Sequence, residues 1–228
     1  MGSHTGGQTR ILDVANLECV RGDRRLFRDI SFSMTPGTLL QLTGPNGSGK
    51  TSLLRIICGL MAPENGEVRW EGANIRSLGE EYSRSITYIG HRNGVKEELS
   101  SLENLRISSG LAGFELSREE ARHALKQLGL DGREHLPTRF LSEGQRRRSA
   151  LARLLTCGTT LWLLDEVLAS LDHAAGILIE SVIGEHLTNG GMAIVATHQE
   201  IRISSGSFQR LELATGVPSG VASPGWGS

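Results

Sequence analysis

The alternation of apolar and polar positions along the chain predicts an α/β architecture. Residues 11–18 and 30–34 alternate apolar with polar side chains, as half-buried antiparallel strands do. Residues 160–164 and 192–196 are instead continuously apolar, which is typical of strands buried in a parallel sheet. We therefore expect an N-terminal antiparallel β layer beside a mixed or parallel core sheet.

Segments with helical spacing separate the predicted strands. A strand-like run at 38–43 and the helical pattern of 50–58 flank a Gly-rich turn, and further helices are predicted at 144–155 and 174–187, before a last strand at 208–213. Between 100 and 130 the pattern is also helical, and Ser117 with Glu120 predicts a capping box. The middle third therefore resembles a helical subdomain, about residues 92–150, inserted into the domain.

The two ends of the chain differ in composition from the rest. Residues 1–9 and 215–228 are rich in Gly, Ser and Pro, so they cannot bury enough apolar surface to order themselves. We expect a disordered N-terminal segment or tag, one domain over 10–214, and a disordered C-terminal tail.

Net charge and apolar content exclude several classes of protein. The formal net charge is −1, which gives no overall electrostatic reason to bind nucleic acid or an anionic bilayer. No run approaches the roughly 18 to 20 apolar residues of a membrane-spanning helix, and no signal peptide opens the chain. Three scattered cysteines fit reduced thiols in a cytosolic protein better than a disulfide framework or a metal cluster. We expect no nucleic-acid partner, and contact with a membrane only through other proteins.

Residues 44–51 match the P-loop pattern, in which two glycines separated by four residues precede Lys and Thr. The glycines allow successive N–H groups to turn inward, and the following helix adds its positive end, so a polyphosphate is the natural occupant. Lys50 would contact the β and γ phosphates, and the Thr51 hydroxyl would ligate Mg²⁺. The predicted nucleotide-binding residues of this segment are Gly44, Pro45, Asn46, Gly47, Ser48, Gly49, Lys50, Thr51 and Ser52.

Two carboxylates follow the apolar strand at 160–164. Asp165 and Glu166 are therefore expected at the carboxyl edge of the parallel sheet, where Asp165 would hold Mg²⁺ and Glu166 would act as the general base. The alternative is that the acidic pair caps the next helix. His198 follows the next buried strand, and we predict that its imidazole orients the attacking water.

A second anion site is predicted at residues 141–145, Leu-Ser-Glu-Gly-Gln, where a polar loop opens a helix. This site is far in sequence from the P-loop, and two half-sites suggest two chains. Arg146, Arg147 and Arg148 follow, and we interpret this basic run as a solvated helix face.

Together these motifs resemble the ABC ATPase family over about residues 11–213. The resemblance implies a P-loop NTPase fold, ATP and Mg²⁺ as cofactors, and a head-to-tail dimer that sandwiches each ATP. It assigns nucleotide contacts across the dimer to Ser142, Gly144 and Gln145, and a role in the D-loop to Asp172.

Four positions depart from the general family pattern. Glu143 replaces the first Gly of the signature loop, and Val167 replaces the usual Pro. His91 stands where a Gln usually ligates Mg²⁺, so we predict His91 as a metal ligand. Arg21 stands near the usual adenine-stacking aromatic, and either Arg21 or Phe27 is expected to supply the stacking face.

A narrower resemblance rests on residues 19–27, 90–91, 94–96, 99, 102–105 and 141–148. In these segments the chain is similar to the haem exporter ATP-binding subunits of cytochrome c maturation. The resemblance implies a peripheral protein on the cytoplasmic face of a bacterial inner membrane, with permease partners, that acts in the release of haem-loaded chaperone. No pair of Cys or His residues has the pattern of a haem ligand, so the sequence does not show whether haem itself is the transported molecule.

Three other functions remain as alternatives. The chain could serve another exporter of lipoproteins, drugs or nutrients, or it could be a soluble ABC ATPase of iron–sulfur assembly or translation. A module that uses ATP only as a dimerisation switch is disfavoured because Glu166 is present.

Overall fold

The computed structural model describes residues 12–90, 93–169, 171–203, 206–214 and 221–222. Two sheets and seven α-helices make up this part of the chain. The strands are β1 (Leu12–Arg21), β2 (Arg24–Met34), β3 (Thr38–Thr43), β4 (Asn65–Trp70), β5 (Ala73–Asn74), β6 (Ile86–Ile89), β7 (Leu161–Asp165), β8 (Met192–Ala196), β9 (Ser207–Glu212) and β10 (Val221–Ala222). The helices are α1 (Lys50–Ile57), α2 (Ile75–Leu78), α3 (Glu80–Arg84), α4 (Ser101–Leu111), α5 (Arg118–Gln127), α6 (Glu143–Leu151) and α7 (His173–Thr188), with 3₁₀ turns at Thr138–Phe140 and Ala152–Leu155.

The N-terminal layer is an antiparallel sheet with the strand order β2-β1-β4-β5. Strands β1 and β2 form a hairpin in which Leu12 pairs with Met34 and Arg21 pairs with Arg24. The predicted antiparallel layer is therefore confirmed, and both strands extend beyond the predicted ranges. Strands β4 and β5 were not predicted from the sequence.

The second sheet has the order β10-β9-β3-β8-β7-β6. Strands β9, β3, β8, β7 and β6 run parallel, and β10 joins β9 antiparallel. Because parallel strands share their carboxyl edge, the residues that follow β3, β7 and β8 meet at one edge of the sheet. This topology brings the P-loop, Asp165 and Thr197-His198 together.

Helices cover both faces of the parallel sheet, which explains why its strands are apolar on both sides. One buried cluster joins Leu40, Leu163 and Ile194 with α1 and the antiparallel sheet. The other joins Leu39 and Val195 with α7 and the helices between β6 and β7. The α/β class predicted from the apolar runs is confirmed.

Helices α4, α5 and α6 lie between β6 and β7 in the chain and form the predicted helical insertion. Capping boxes open α4 at Ser100, α5 at Ser117 and α6 at Ser142. The box of Ser117 with Glu120 is the one that the sequence predicts. Within the described residues, no helix is both long and apolar enough to span a bilayer.

The predicted terminal segments fall mostly outside the described residues. The segment 1–9 lies outside them entirely, and so do 215–220 and 223–228. Within the predicted tail, Val221–Ala222 form β10 and pair with Leu211 and Arg210 of β9.

Candidate active site

The P-loop connects β3 to α1 and takes backbone conformations that require glycine. Gly44 has φ of 138°, and a Cβ there would lie 2.3 Å from the Leu213 carbonyl oxygen. Gly49 has φ of 106°, and a Cβ there would lie 2.8 Å from Cδ1 of Phe27. A side chain at either position would therefore clash as well as strain the backbone. The loop is fixed in shape by its neighbours.

The first turn of α1 presents free N–H groups to this loop. Gly49 is the N-cap residue, and no side chain caps the helix. Uncapped N–H groups at a helix start attract anions through hydrogen bonds and the helix dipole. The Ser48 hydroxyl is buried, and its oxygen has no hydrogen-bond partner among the described residues. Both features suit a loop that binds phosphate.

Lys50 is largely buried and folds back over the P-loop. Its Nζ donates to the carbonyl oxygen of Gly44 at 2.7 Å and lies 3.3 Å from that of Pro45. The same Nζ lies 3.2 Å from Nε2 of His198. Because an ammonium group can only donate, His198 accepts through Nε2 in the tautomer that carries its proton on Nδ1. A single cation thus joins the loop to the end of β8.

Thr51 and Asp165 are in direct contact. The Thr51 hydroxyl donates to Oδ2 of Asp165 at 2.8 Å, and the Asp165 side chain is buried. A hydroxyl and a carboxylate are hard oxygen ligands of the kind that Mg²⁺ prefers, with water and phosphate completing its octahedron. These two residues therefore fit the predicted metal. Groups of three or more His, Cys, Asp or Glu that could hold an ion by themselves are absent from the described chain.

Glu166 follows Asp165 in an unusual backbone conformation. Its φ is 52°, in the left-handed region that a residue with a side chain adopts at a cost of about 1–3 kcal/mol. Its N–H donates to the Ala196 carbonyl oxygen at 2.9 Å, and its Oε1 lies 3.5 Å from Nε2 of His198. Contacts from β8 thus hold Glu166 beside His198. The strain is a feature that the sequence did not indicate.

These groups line one cavity of about 790 Å³ at the carboxyl edge of the parallel sheet. That volume suits a nucleotide-sized ligand. Ten of the predicted residues line it, together with three that were not predicted. The predicted ones are Arg21, Asn46, Gly47, Gly49, Lys50, Thr51, Ser52, Asp165, Glu166 and His198, and the others are Arg24, Leu26 and Ala169.

Part of the cavity lining comes from the β1–β2 hairpin. Arg21 and Arg24 pair across its tip, so two exposed guanidinium groups border the cavity beside Leu26. Phe27 is instead buried against the P-loop, with 4% of its surface exposed. The suggestion that Phe27 supplies the stacking face is therefore wrong. Arg24 was missed, although its pairing with Arg21 follows from the turn of a hairpin.

The residues assigned to the second half-site lie elsewhere in the chain. Ser142 caps α6, accepting from the N–H of Gln145 at 3.3 Å, while Gln145 Oε1 accepts from the Ser142 N–H at 3.0 Å. Asp172 caps α7 by accepting from the Ala175 N–H. Neither these residues nor Gly144 line the P-loop cavity. Within one chain, the two predicted half-sites are separate.

Arg147 departs from the predicted basic face. Only 3% of the residue is exposed, and burial lowers the pKa of its guanidinium. Its neighbours Arg146 and Arg148 are half-buried. The interpretation of all three as a solvated face is therefore wrong. His91, the predicted metal ligand, lies outside the described residues.

Comparisons with known proteins agree with this geometry. A family model described as ABC transporter matches residues 27–169. The cytochrome c biogenesis ATP-binding export protein CcmA of Nitrosospira multiformis is 54% identical over 202 residues, covering 89% of this chain and 98% of that protein. The protein of the same name from Vibrio vulnificus (strain YJ016) is 40% identical over 203 residues, covering 89% and 99%.

Solved structures show the same fold. An ATP-binding subunit of an ABC transporter superposes with a TM-score of 0.79 at 24% identity, over 92% of this chain and 90% of that one. The ATP-binding cassette MJ0796, in a dimeric post-hydrolysis state bound to ADP and Pi, gives 0.78 at 23% identity, over 90% and 97%.

Proposed function

Since this chain belongs to the ABC transporter family, and within it to the CcmA export proteins, we propose that it binds MgATP between two copies of itself and hydrolyses it to drive a membrane protein. The observation that carries the proposal is the contact of Thr51 with Asp165. It joins the P-loop to the strand end that bears Glu166, within a single nucleotide-sized cavity.

The residues of the cavity have different roles in hydrolysis. Thr51 and Asp165 would hold Mg²⁺, which supplies charge neutralisation at the phosphates when bound. Glu166 accepts a proton from the attacking water. His198, whose Nε2 lies 3.5 Å from Oε1 of Glu166, orients that water. Lys50 exchanges the P-loop carbonyls for phosphate oxygens, because an ammonium group binds an anion more strongly than a neutral oxygen.

The second half of each site comes from a second copy of the chain. Ser142, Gly144 and Gln145 stand at the start of α6 and are absent from the lining of the P-loop cavity. The start of a nine-residue helix is suited to bind the γ-phosphate of an ATP held by the partner. Asp172 caps α7 and would lie in the D-loop of the same interface.

The export role follows from the curated relatives, which are cytochrome c biogenesis ATP-binding export proteins. The proposal is that the chain lies on the cytoplasmic face of a bacterial inner membrane, bound to permease subunits, and powers release of haem-loaded chaperone. His91 would sense the permease and ligate Mg²⁺ in place of Gln. A different exporter or a soluble ABC ATPase is the alternative.

A membrane copurification experiment tests this role. The affinity-tagged full chain, extracted from membranes in mild detergent, should bring down multi-spanning partner proteins. A strain without the gene should lose periplasmic c-type cytochromes, and the wild-type gene should restore them, whereas the Glu166→Gln variant should not. Normal cytochromes in the deletion strain would exclude the haem pathway, and a wholly soluble complex would exclude a transporter.

A further inference from the structure

Arg147 is a buried cation whose contacts join three separate segments of the chain. It lies in the second turn of α6, the helix that begins with the predicted second half-site. One guanidinium nitrogen donates to the Gly90 carbonyl oxygen at 2.9 Å and to Oδ1 of Asn93 at 3.2 Å. The other donates to the carbonyl oxygens of Asp165 at 3.3 Å and Glu166 at 3.1 Å. The side chain thus connects α6 to the segment after β6 and to the end of β7.

The partners of this guanidinium are neutral oxygens. None of the ion pairs found among the described residues includes Arg147, although the charge of the Asp165 carboxylate acts on it. A desolvated cation is costly to bury unless hydrogen bonds satisfy its donors. An apolar side chain at this position would avoid that cost. The arginine therefore has a use that packing alone does not explain.

The geometry at Glu166 indicates this use. The φ of 52° at Glu166 is a conformation that persists only where the surroundings impose it. The Ala196 carbonyl holds the Glu166 N–H, and Arg147 holds the Glu166 carbonyl oxygen, so the peptide groups on both sides of its Cα are fixed. The direction of the Glu166 side chain depends on both contacts.

We propose that Arg147 is a positioning residue for hydrolysis, which fixes the main chain of Glu166 and makes the position of that carboxylate depend on the placement of α6. This inference rests on the proposed role of Glu166 as general base. In the proposed dimer, contact of Ser142 with the nucleotide of the partner chain fixes the position of α6. The rigid planar guanidinium of Arg147 couples that position to the main chain of Glu166.

The test compares the full-length wild-type protein with Arg147→Met, which keeps an unbranched side chain in the core but removes the guanidinium group with its charge and all of its donors. Arg148→Met is the matched control, because Arg148 lies on the same helix and, among the described residues, donates only to the Leu128 carbonyl oxygen within the helical insertion. The measurements are kcat and KM for MgATP, the equilibrium affinity for a fluorescent ATP analogue, and the thermal unfolding midpoint.

Arg147→Met is expected to lower kcat by about tenfold to a hundredfold, the size of effect that misplacement of a reacting group produces. KM and nucleotide affinity should stay within about twofold of wild type, because Arg147 does not line the cavity. Arg148→Met should leave kcat unchanged. An unchanged kcat in Arg147→Met, or an equal loss of kcat and nucleotide affinity, would overturn the proposal.

A double-mutant cycle with Glu166→Gln supplies the decisive comparison, measured as single-turnover release of phosphate from radiolabelled ATP. If Arg147 acts through Glu166, Arg147→Met should change the residual rate of Glu166→Gln by less than about twofold. The same fractional loss in both backgrounds would overturn the proposal while leaving the role of Glu166 intact. Wild-type turnover in Glu166→Gln alone would instead remove the proposed function.

A second variant covers the case in which Arg147→Met does not fold. Arg147→Lys keeps the charge but offers one point donor that cannot hold both pairs of oxygens. It is expected to fold and to lose kcat in the wild-type background only. Normal kcat in Arg147→Lys would overturn the proposal.

Discussion

The hydroxyl of Thr51 donates to Oδ2 of Asp165 at 2.8 Å, although 114 positions separate the two residues in sequence. This bond brings the start of α1 to the end of β7. It also sets two oxygen ligands side by side, as a shared metal requires.

Asp165→Asn should therefore weaken the affinity for Mg²⁺ more than the affinity for nucleotide. Asn can still accept from Thr51, but its amide oxygen lacks the charge that attracts the ion. The Mg²⁺ concentration for half-maximal turnover should rise by at least about tenfold, the size of effect seen when residues that orient metal ligands are mutated. ATP analogue binding in EDTA should not change. Asp131→Asn, on an exposed loop, is the matched control, and an unaltered Mg²⁺ titration in Asp165→Asn would count against this assignment.

Because His198 lies between Lys50 and Glu166, replacing it should lower the rate of ATP hydrolysis rather than the affinity for ATP. His198→Gln should lower kcat by about a hundredfold, the lower range of effects for groups that direct proton transfer. Affinity for an ATP analogue should change little, because the P-loop supplies most phosphate contacts. His123→Gln on α5 is the control. A large loss of affinity with normal kcat would contradict the assignment.

Much of the fold can be predicted from the sequence, because the spacing of apolar residues differs between helices, half-buried strands and fully buried strands. Continuous apolar runs marked β7 and β8 as strands covered on both faces, and the topology then required Asp165 and His198 to share the edge of the sheet with the P-loop. Strands β4 and β5 were missed because residues 65–74 contain two glycines and charged side chains that conceal the alternation.

The burial of Arg147 was not predictable from the sequence. Three adjacent arginines on a helix look alike in composition, and only the tertiary arrangement of Gly90, Asn93 and the end of β7 gives the middle one acceptors for its donors. Phe27 was misjudged for a related reason. Phe27 lies on the buried side of β2, in one hydrophobic cluster with residues of α1, and the sequence does not show which side of the strand α1 covers.

The arginines at the tip of the β1–β2 hairpin lead to a prediction about how the adenine ring of ATP is bound. Arg21→Ala should raise KM for ATP by about threefold to thirtyfold, the range expected from loss of a cation–π contact. Arg21→Tyr should restore KM, because an aromatic ring offers an equivalent stacking face. Arg28→Ala, exposed on β2, is the control. If Arg21→Ala leaves KM unchanged, while Arg24→Ala raises it, Arg24 is the stacking residue instead.

His186 predicts part of the pH dependence of stability. Burial lowers the pKa of its imidazole, and the ring stacks on Trp162 with centroids 3.7 Å apart. Below the ordinary pKa of 6.5 the unfolded chain takes up this proton more readily than the folded one, so stability falls as the pH drops through that region. His186→Gln removes the titration and should flatten the fall of the unfolding midpoint between about pH 7.5 and 5.5. An equal fall in both proteins would refute this.

We propose that the P-loop, Asp165 and Glu166 form one MgATP site, which a second copy of the chain completes. Light scattering of Glu166→Gln with saturating MgATP tests it most directly, with Lys50→Ala as the control that cannot hold the nucleotide. Glu166→Gln is expected to have twice the mass of one chain, and Lys50→Ala is expected to have the mass of one chain. A single-chain mass for Glu166→Gln under these conditions would contradict it.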